Sequence, residues 1–313
     1  MSEKQLKDEV LVETSVEEVD CEETCAEGFP ATHEERMARS AALREQSFQE
    51  LCDAGFTHTL GVTLSYQGAP FAGFARQAEE NLMTVQGELE RALELLYRRE
   101  VKTTCAGRTD AGVHARRQVV SYDVTDEEME LRPLYPLIRS LNALVDDHIS
   151  IYNVEEKPLG FSARFDAKWR EYHYHICTDV ARPVLIKPIV WHLGGVQLDI
   201  KAMNEAAQYI IGEHDFKSFC MSASAVGKPT HRNVMNVEVY PETIAGTEVI
   251  TLRVVGSAFL HSMIRIMVGT LVEVGRGRKK PEWVRDVLAA CDRRTAGQTA
   301  PASGLVFWDV SYE

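Results

Sequence analysis

The sequence predicts an α+β fold assembled from two successive β-α-β-β-α-β units. Three observations carry this reading. Runs with period-two alternation and runs with helical spacing follow one another in a fixed order. That order occurs twice. The composition, 45% hydrophobic and 26% charged over 313 residues, is globular. No window reaches the roughly eighteen consecutive apolar residues of a membrane span. The opening MSEKQLKDEVLVE lacks the basic-then-apolar layout of a secretory signal. Seven cysteines, an odd number scattered along the chain, fit reduced thiols in a cytoplasmic protein better than a disulfide framework.

An acidic arm, residues 1–54, precedes the two units. The first fifty residues hold 14 Asp and Glu against 5 Lys and Arg, so −9 of the chain's net −13 lies there. Residues 1–32 read as disordered, and the spacing turns helical from His33 to Ala54, with Gly55 as its stop. Cys21 and Cys25 have no second Cys/His pair nearby and read as two isolated thiols, not a metal site. The remaining 263 residues are close to neutral, −4, so a basic cleft is compatible with them.

The first unit takes residues 55–165. HTLGVTLSY (58–66) is a strand. MTVQGELERALELLYRR (83–99) is an amphipathic helix with Thr84 as its N-cap. VKTTCA (101–106) is a strand, GRTDAGVHAR (107–116) a loop and QVVSYDV (118–124) a strand. PLYPLIRSLNALV (133–145) is a helix and ISIYNVEE (149–156) a strand. The second unit takes 166–313. WREYHYHIC (169–177) is a strand, and DIKAMNEAAQYIIG (199–212) a helix closed by Gly212. NVMNVEVYP (233–241) and EVITLRVVG (248–256) are paired strands. FLHSMIRIMVGTLVEVG (259–275) is a long helix, another follows near 281–292, and LVFWDVSYE (305–313) is the last strand. Each unit has the order of a ferredoxin-like half. The repeat is one of element order, without evident sequence similarity between the halves.

CAGRTDAGVHA (105–115) is the segment with the most chemistry. A turn needs its glycines, but not Arg108 and Asp110 two residues apart at the end of a strand. Local capping by Asp110 is the structural alternative. The Gly107-to-Gly112 spacing is not a phosphate loop, because Val113 and His114 stand where Lys-Ser/Thr should follow. Arg265 lies between Ile264 and Ile266 in an apolar helix, so it needs a carboxylate partner. Asp110 is one candidate and an acid elsewhere another. Tyr172 taken alone reads as a half-buried strand residue.

GRTDAGVHA resembles the signature of the tRNA pseudouridine synthases of the TruA family. FSARFDAKWREYHYHI (161–176), AFLHSMIRIMVGTLVEVGRGR (258–278) and SGLVFWDVSY (303–312) resemble its later motifs in the same order, so the likeness runs from about His58 to Tyr312. It implies a pseudouridine-synthase catalytic domain with a central cleft and isomerisation of uridine in the anticodon stem-loop, the 38–40 region in tRNA numbering. By the same resemblance Asp110 is the catalytic aspartate and Arg265 the arginine paired with it. Tyr172 is the aromatic that stacks on the target uracil, and Arg108 fills the space of the flipped base. The implied partners are tRNA and a second copy of the chain in a homodimer. The reaction rearranges bonds without electron exchange, so no metal or redox cofactor is implied. Arg76, Arg116, Arg117, Arg164, Lys168, Arg170, Arg276, Arg278, Lys279 and Lys280 are the cations expected to track RNA, with GRGRKK (275–280) the clearest basic run.

Two departures from the family pattern stand out: Phe74-Ala75 where Trp-Gln is usual, and Ser262 and Ile266 where His and Asn are common. Three other functions compete with this one: a synthase with another RNA target, an RNA-binding protein without catalysis, and an aspartate-dependent glycoside hydrolase. The last needs a second carboxylate, and none stands beside Asp110 in the loop.

Overall fold

A computed structural model describes residues 45, 48–77, 82–222 and 226–313. They belong to one compact unit, Ala42–Glu313. Cys21, Cys25 and most of the helical spacing expected over 33–54 lie outside the described residues. Residues 48–53 are helical. Gly55 N–H donates to the Cys52 carbonyl and Phe56 N–H to the Leu51 carbonyl, so the helix stops where Gly55 predicted.

The first half contributes β1 (His58–Tyr66), α1 (Val85–Tyr97), β2 (Thr104–Cys105), β3 (His114–Val124), α2 (Asp126–Leu131), α3 (Leu134–Leu144) and β4 (Ile149–Lys157). The second contributes β5 (Trp169–Cys177), β6 (Trp191–His192), α4 (Ile200–Ala207), β7 (Gly212–Asp215), β8 (His231–Ile244), β9 (Thr247–Gly256), α5 (Met263–Gly275), α6 (Trp283–Ala290) and β10 (Leu305–Ser311). All the strands join one mostly antiparallel sheet in the order β4-β1-β3-β10-β5-β9-β8-β7, with β2 beside β3 and β6 beside β5. The halves meet where β10 runs parallel to β3, pairing Val306 with His114 and Phe307 with Ala115.

Alternation in the strands decides which side chains enter the core. In β5, Tyr172, Tyr174 and Ile176 join the main core, together with Leu60, Val62 and Leu64 of β1 and the apolar faces of α1, α3, α4 and α5. Glu171, His173 and His175 point to the other face and are themselves buried. There Glu171 takes hydrogen bonds from Arg253, and its Oε1 lies 2.7 Å from His173 Nε2. The His173 ring stacks on Trp308 at 4.0 Å, and the Arg116 guanidinium lies over the same indole. Thr84 caps α1 as predicted, accepting from Gly87 N–H.

Several boundaries differ from expectation, for tertiary reasons. β3 begins at His114, inside the expected loop, because β1 and β10 both pair with its first residues. The strand expected over 101–106 is reduced to two residues. The helix expected to run to Gly212 stops at Ala207. Tight bonds from Tyr209 and Ile210 close it, and Gly212 instead opens β7 against Val234. The short helix α2 has no buried residue and hence no apolar period, yet a Thr125–Glu128 capping box holds it.

His114, His173 and His175 are buried, and burial pushes their imidazoles down, to about 4 for His175. Thr251 donates its hydroxyl proton to Glu242, so its oxygen accepts from His175 Nδ1–H, which fixes the neutral tautomer. Below about pH 6.5 the unfolded chain binds protons on these rings that the folded chain refuses. Stability therefore falls as pH drops through that window, by at most about 1.4 kcal/mol per pH unit for each histidine. Melting at pH 7.5 and pH 5 should show this loss, and His175→Gln should remove part of it. An equal loss in the variant contradicts the assignment.

Candidate active site

The loop between β2 and β3 is held from three sides before any catalytic group is considered. Gln118, fully buried in β3, donates to the Gly107 carbonyl at 2.7 Å and accepts from Gly107 N–H at 3.3 Å. The Tyr66 hydroxyl meets Thr109 Oγ1 at 2.8 Å, and Phe74 N–H donates to the Thr109 carbonyl at 3.1 Å. Val113 N–H closes a turn on the Asp110 carbonyl. A Cβ on Gly107 would stand 2.9 Å from the Phe307 ring and 3.3 Å from the Tyr172 hydroxyl, so only glycine lets the loop lie this close to those rings.

Asp110 projects from this loop toward the second half. Its Oδ2 accepts from Arg265 Nη1 at 2.8 Å and from the Ser262 hydroxyl at 2.7 Å. Its Oδ1 lies 3.5 Å from His261 Nε2. The ion pair is largely shielded, with the Arg265 and Asp110 side chains 19% and 21% exposed. Arg265 Nε donates to the Ala300 carbonyl, so the guanidinium is anchored at a second point besides Asp110. Of the two acids that Arg265 left open, Asp110 is the partner.

The helix expected over 259–275 begins only at Met263. Residues before it turn into the cleft, and Ser262 takes a left-handed backbone, φ 56°. That conformation costs a non-glycine residue about 1–3 kcal/mol. Ser262 stands at the N-cap position of α5 yet gives no side-chain cap; its hydroxyl goes to Asp110 instead. The helix N-terminus beside the carboxylate adds favourable electrostatics.

Asp110, Arg108 and Tyr172 line one cleft of about 650 Å3. Tyr172 is 7% exposed and meets Phe259 and Phe307 edge-on, at 5.3 and 5.0 Å. Burial pushes its phenol far above the usual range. Arg108 is exposed at the cleft and joins no ion pair among the described residues. Arg164, Arg170, Lys228 and Arg232 also line the cleft, and Asp110 is its one carboxylate among the described residues. A single anchored carboxylate among cations suits attack on, or proton removal from, a bound polyanion.

A family model described as tRNA pseudouridine synthase matches residues 63–166 and 206–313. The chain belongs to the tRNA pseudouridine synthase family. It is 42% identical over 253 residues to tRNA pseudouridine synthase A of Brevibacillus brevis, covering 81% of this chain and 99% of that one. The synthase of the same name from Vibrio parahaemolyticus is 39% identical over 257 residues, covering 81% and 91%. Among solved structures, a Cbf5–Nop10–Gar1 complex aligns with 68% of this chain and 45% of that chain at 15% identity and a TM-score of 0.30.

Within this synthase two of the ten cations expected to track RNA line the cleft. Arg164 and Arg170 line the cleft, but the Arg170 guanidinium is bonded to four backbone carbonyls, those of Ala106, Arg164, Ala167 and Ser257. Arg76 pairs with Glu90, Arg117 with Asp309, and Arg116 covers Trp308 on the other sheet face. The GRGRKK run follows the far end of α5, about 20 Å from its catalytic end. There Arg276 and Arg278 pair with Glu273, and Lys279 covers Trp283. Ser262, Gln118, Lys228 and Arg232 were not singled out as site residues from sequence. Ser262 had one signal, its departure from the family pattern next to the pairing arginine.

Gln118→Ala should free Gly107 on both sides and cost about 1–3 kcal/mol, the range for stranding buried polar groups. Amide exchange over 107–113 should accelerate while β1 exchange holds. Uniform acceleration would make Gln118 a general stabiliser and not the anchor of this loop.

Proposed function

We propose that this chain converts uridine to pseudouridine in the anticodon stem-loop of tRNA, in the cytoplasm, with Asp110 as the reacting group. The observation that carries the site is the Asp110 carboxylate with Oδ2 held by Arg265 and Ser262, so that Oδ1, with His261 Nε2 3.5 Å away, is the oxygen placed to react. The isomerisation breaks the uridine N1–C1′ bond, turns the uracil, forms C5–C1′, and exchanges the C5 proton for one on N1, so the formula is unchanged. Asp110 starts it either by attack on C1′ or by removing a sugar proton. Both routes need a carboxylate oxygen facing the cleft. The target base must leave its stem to be reached. Tyr172 offers the ring on which it stacks, a contact worth about 1–3 kcal/mol. Arg108, exposed and unpaired with any described acid, fills the vacated space as a planar cation near phosphates.

The architecture is read as two ferredoxin-like halves, 55–165 and 166–313. The strand orders β4-β1-β3-β2 and β10-β5-β9-β8 support this, since, with the short β6 and β7 set aside, each places its unit's four strands in the sequence fourth, first, third, second.

Unmodified tRNA transcripts test the function. The wild type should form pseudouridine in the anticodon stem-loop, and Asp110→Asn should bind RNA without converting it. Ser262→Ala should bind normally and slow conversion about ten-fold or more, the scale of one hydrogen bond to a charged group. Binding without conversion by the wild type would instead favour a protein that retained only the cleft.

A homodimer completes the reading. The segment after β5 exposes Val180, Val184 and Leu185 at 85%, 77% and 82%, an apolar surface suited to a second copy. Light scattering should give twice the chain mass, falling to one chain when all three become serine. A monomeric wild type removes the dimer and leaves the chemistry untouched.

A further inference from the structure

Arg232 is the cation whose surroundings the reaction as described leaves unexplained. It lies at the start of β8 and lines the cleft that holds Asp110. Its Nη1 donates to the carbonyls of Pro229 and His231, which fixes the plane of the guanidinium. Its Nε is shielded from solvent and has no acceptor. Burial pushes its pKa down. Among the described residues it joins no ion pair.

Arg132 shares the unpartnered Nε and joins no ion pair among the described residues, but it does not line the cleft; other part-buried arginines are answered differently. Arg99 has Glu128, Arg253 has Glu171, Arg265 has Asp110, and Arg170 has its four carbonyls. The only described carboxylate lining the cleft is Asp110, whose Oδ2 already takes Arg265 and Ser262. A shielded guanidinium without an anion is costly. Here it faces a cleft whose substrate is a polyanion. Lys228, exposed three residues before His231 and lining the same cleft, adds a second positive charge on that side.

We propose that Arg232, assisted by Lys228, is a phosphodiester subsite that holds the RNA backbone next to the nucleotide at Asp110. The proposal rests on the reading of the chain as an RNA-modifying synthase and assigns the second half's share of backbone binding. Nη1 is spent on carbonyls and Nε is closed to solvent, so Nη2 is the donor left for a phosphate oxygen. A planar fork held by its own backbone has little freedom to lose on binding, which suits it to position a phosphate. Arg108 and Arg164 lie on the first half's side of the cleft. The target nucleotide is then gripped by its backbone from both halves while Asp110 reaches its sugar.

The test measures binding of an anticodon stem-loop RNA across a salt series, in parallel with pseudouridine formation. Arg232→Gln should weaken binding about ten-fold and lower the slope of log K against log salt by about one, the signature of one lost phosphate contact. Arg232→Lys should keep the slope. Neutral methylphosphonate linkages placed singly around the target uridine supply the second readout. One position should weaken the wild type and have no effect on Arg232→Gln. Lys228→Gln, on an exposed side chain that cannot endanger the fold, should also lower the slope. Unchanged slopes and the wild-type linkage profile in these variants, with an active wild type, would overturn the subsite alone. A wild type that modifies no uridine would overturn the function on which it rests.

Discussion

The ion pair between Asp110 and Arg265 is the contact on which the site depends. Its partners come from different halves of the chain, 155 positions apart, and meet at 2.8 Å. Each is anchored by groups that do not react. Asp110 sits on a loop held by Gln118, Tyr66 and Phe74. Arg265 is tied to the Ala300 carbonyl, and Ala300 N–H returns to the Arg265 carbonyl. That segment crosses α5 so closely that a Cβ on Gly269 would lie 1.7 Å from the Gln298 carbonyl oxygen. The small residue in the middle of the helix thus determines where the arginine's second anchor lies.

The division of labour between the carboxylate oxygens follows from this framework. Two donors converge on Oδ2, and a carboxylate pinned through one oxygen presents the other in a defined direction. Preorganisation of this kind removes reorganisation from the reaction itself. Its cost is visible in Ser262, which accepts a left-handed backbone and forgoes capping α5 to reach Asp110.

Charge is distributed to the same end. The chain carries −13 overall, yet −9 of it lies in the first fifty residues and the cleft is lined by five Arg and Lys side chains against one acid among the described residues. Net charge alone would have argued against a nucleic-acid substrate. The cations conspicuous in sequence, the GRGRKK run above all, stand apart from the cleft. Those that line it are spread over four segments of both halves.

Much of the fold was legible without coordinates. The two nine-residue strands over 58–66 and 169–177 emerge at their predicted bounds; both are buried along almost their whole length and rich in β-branched or aromatic residues. Thr84 and Gly55 mark helix ends because their capping is local. The motif GRTDAGVHA pointed to the family and to Asp110. Tertiary structure alone decided the start of β3, the end of α4 at Ala207 and the start of α5 at Met263, since each is set by a partner distant in sequence. The pairing of Arg265 with Asp110 was implied by the family resemblance, and the structure adds that Ser262 shares the same oxygen. It left Arg232 facing the cleft without an acid among the described residues. Local patterns encode which face of an element is buried, but not which distant group will arrive to satisfy a buried charge.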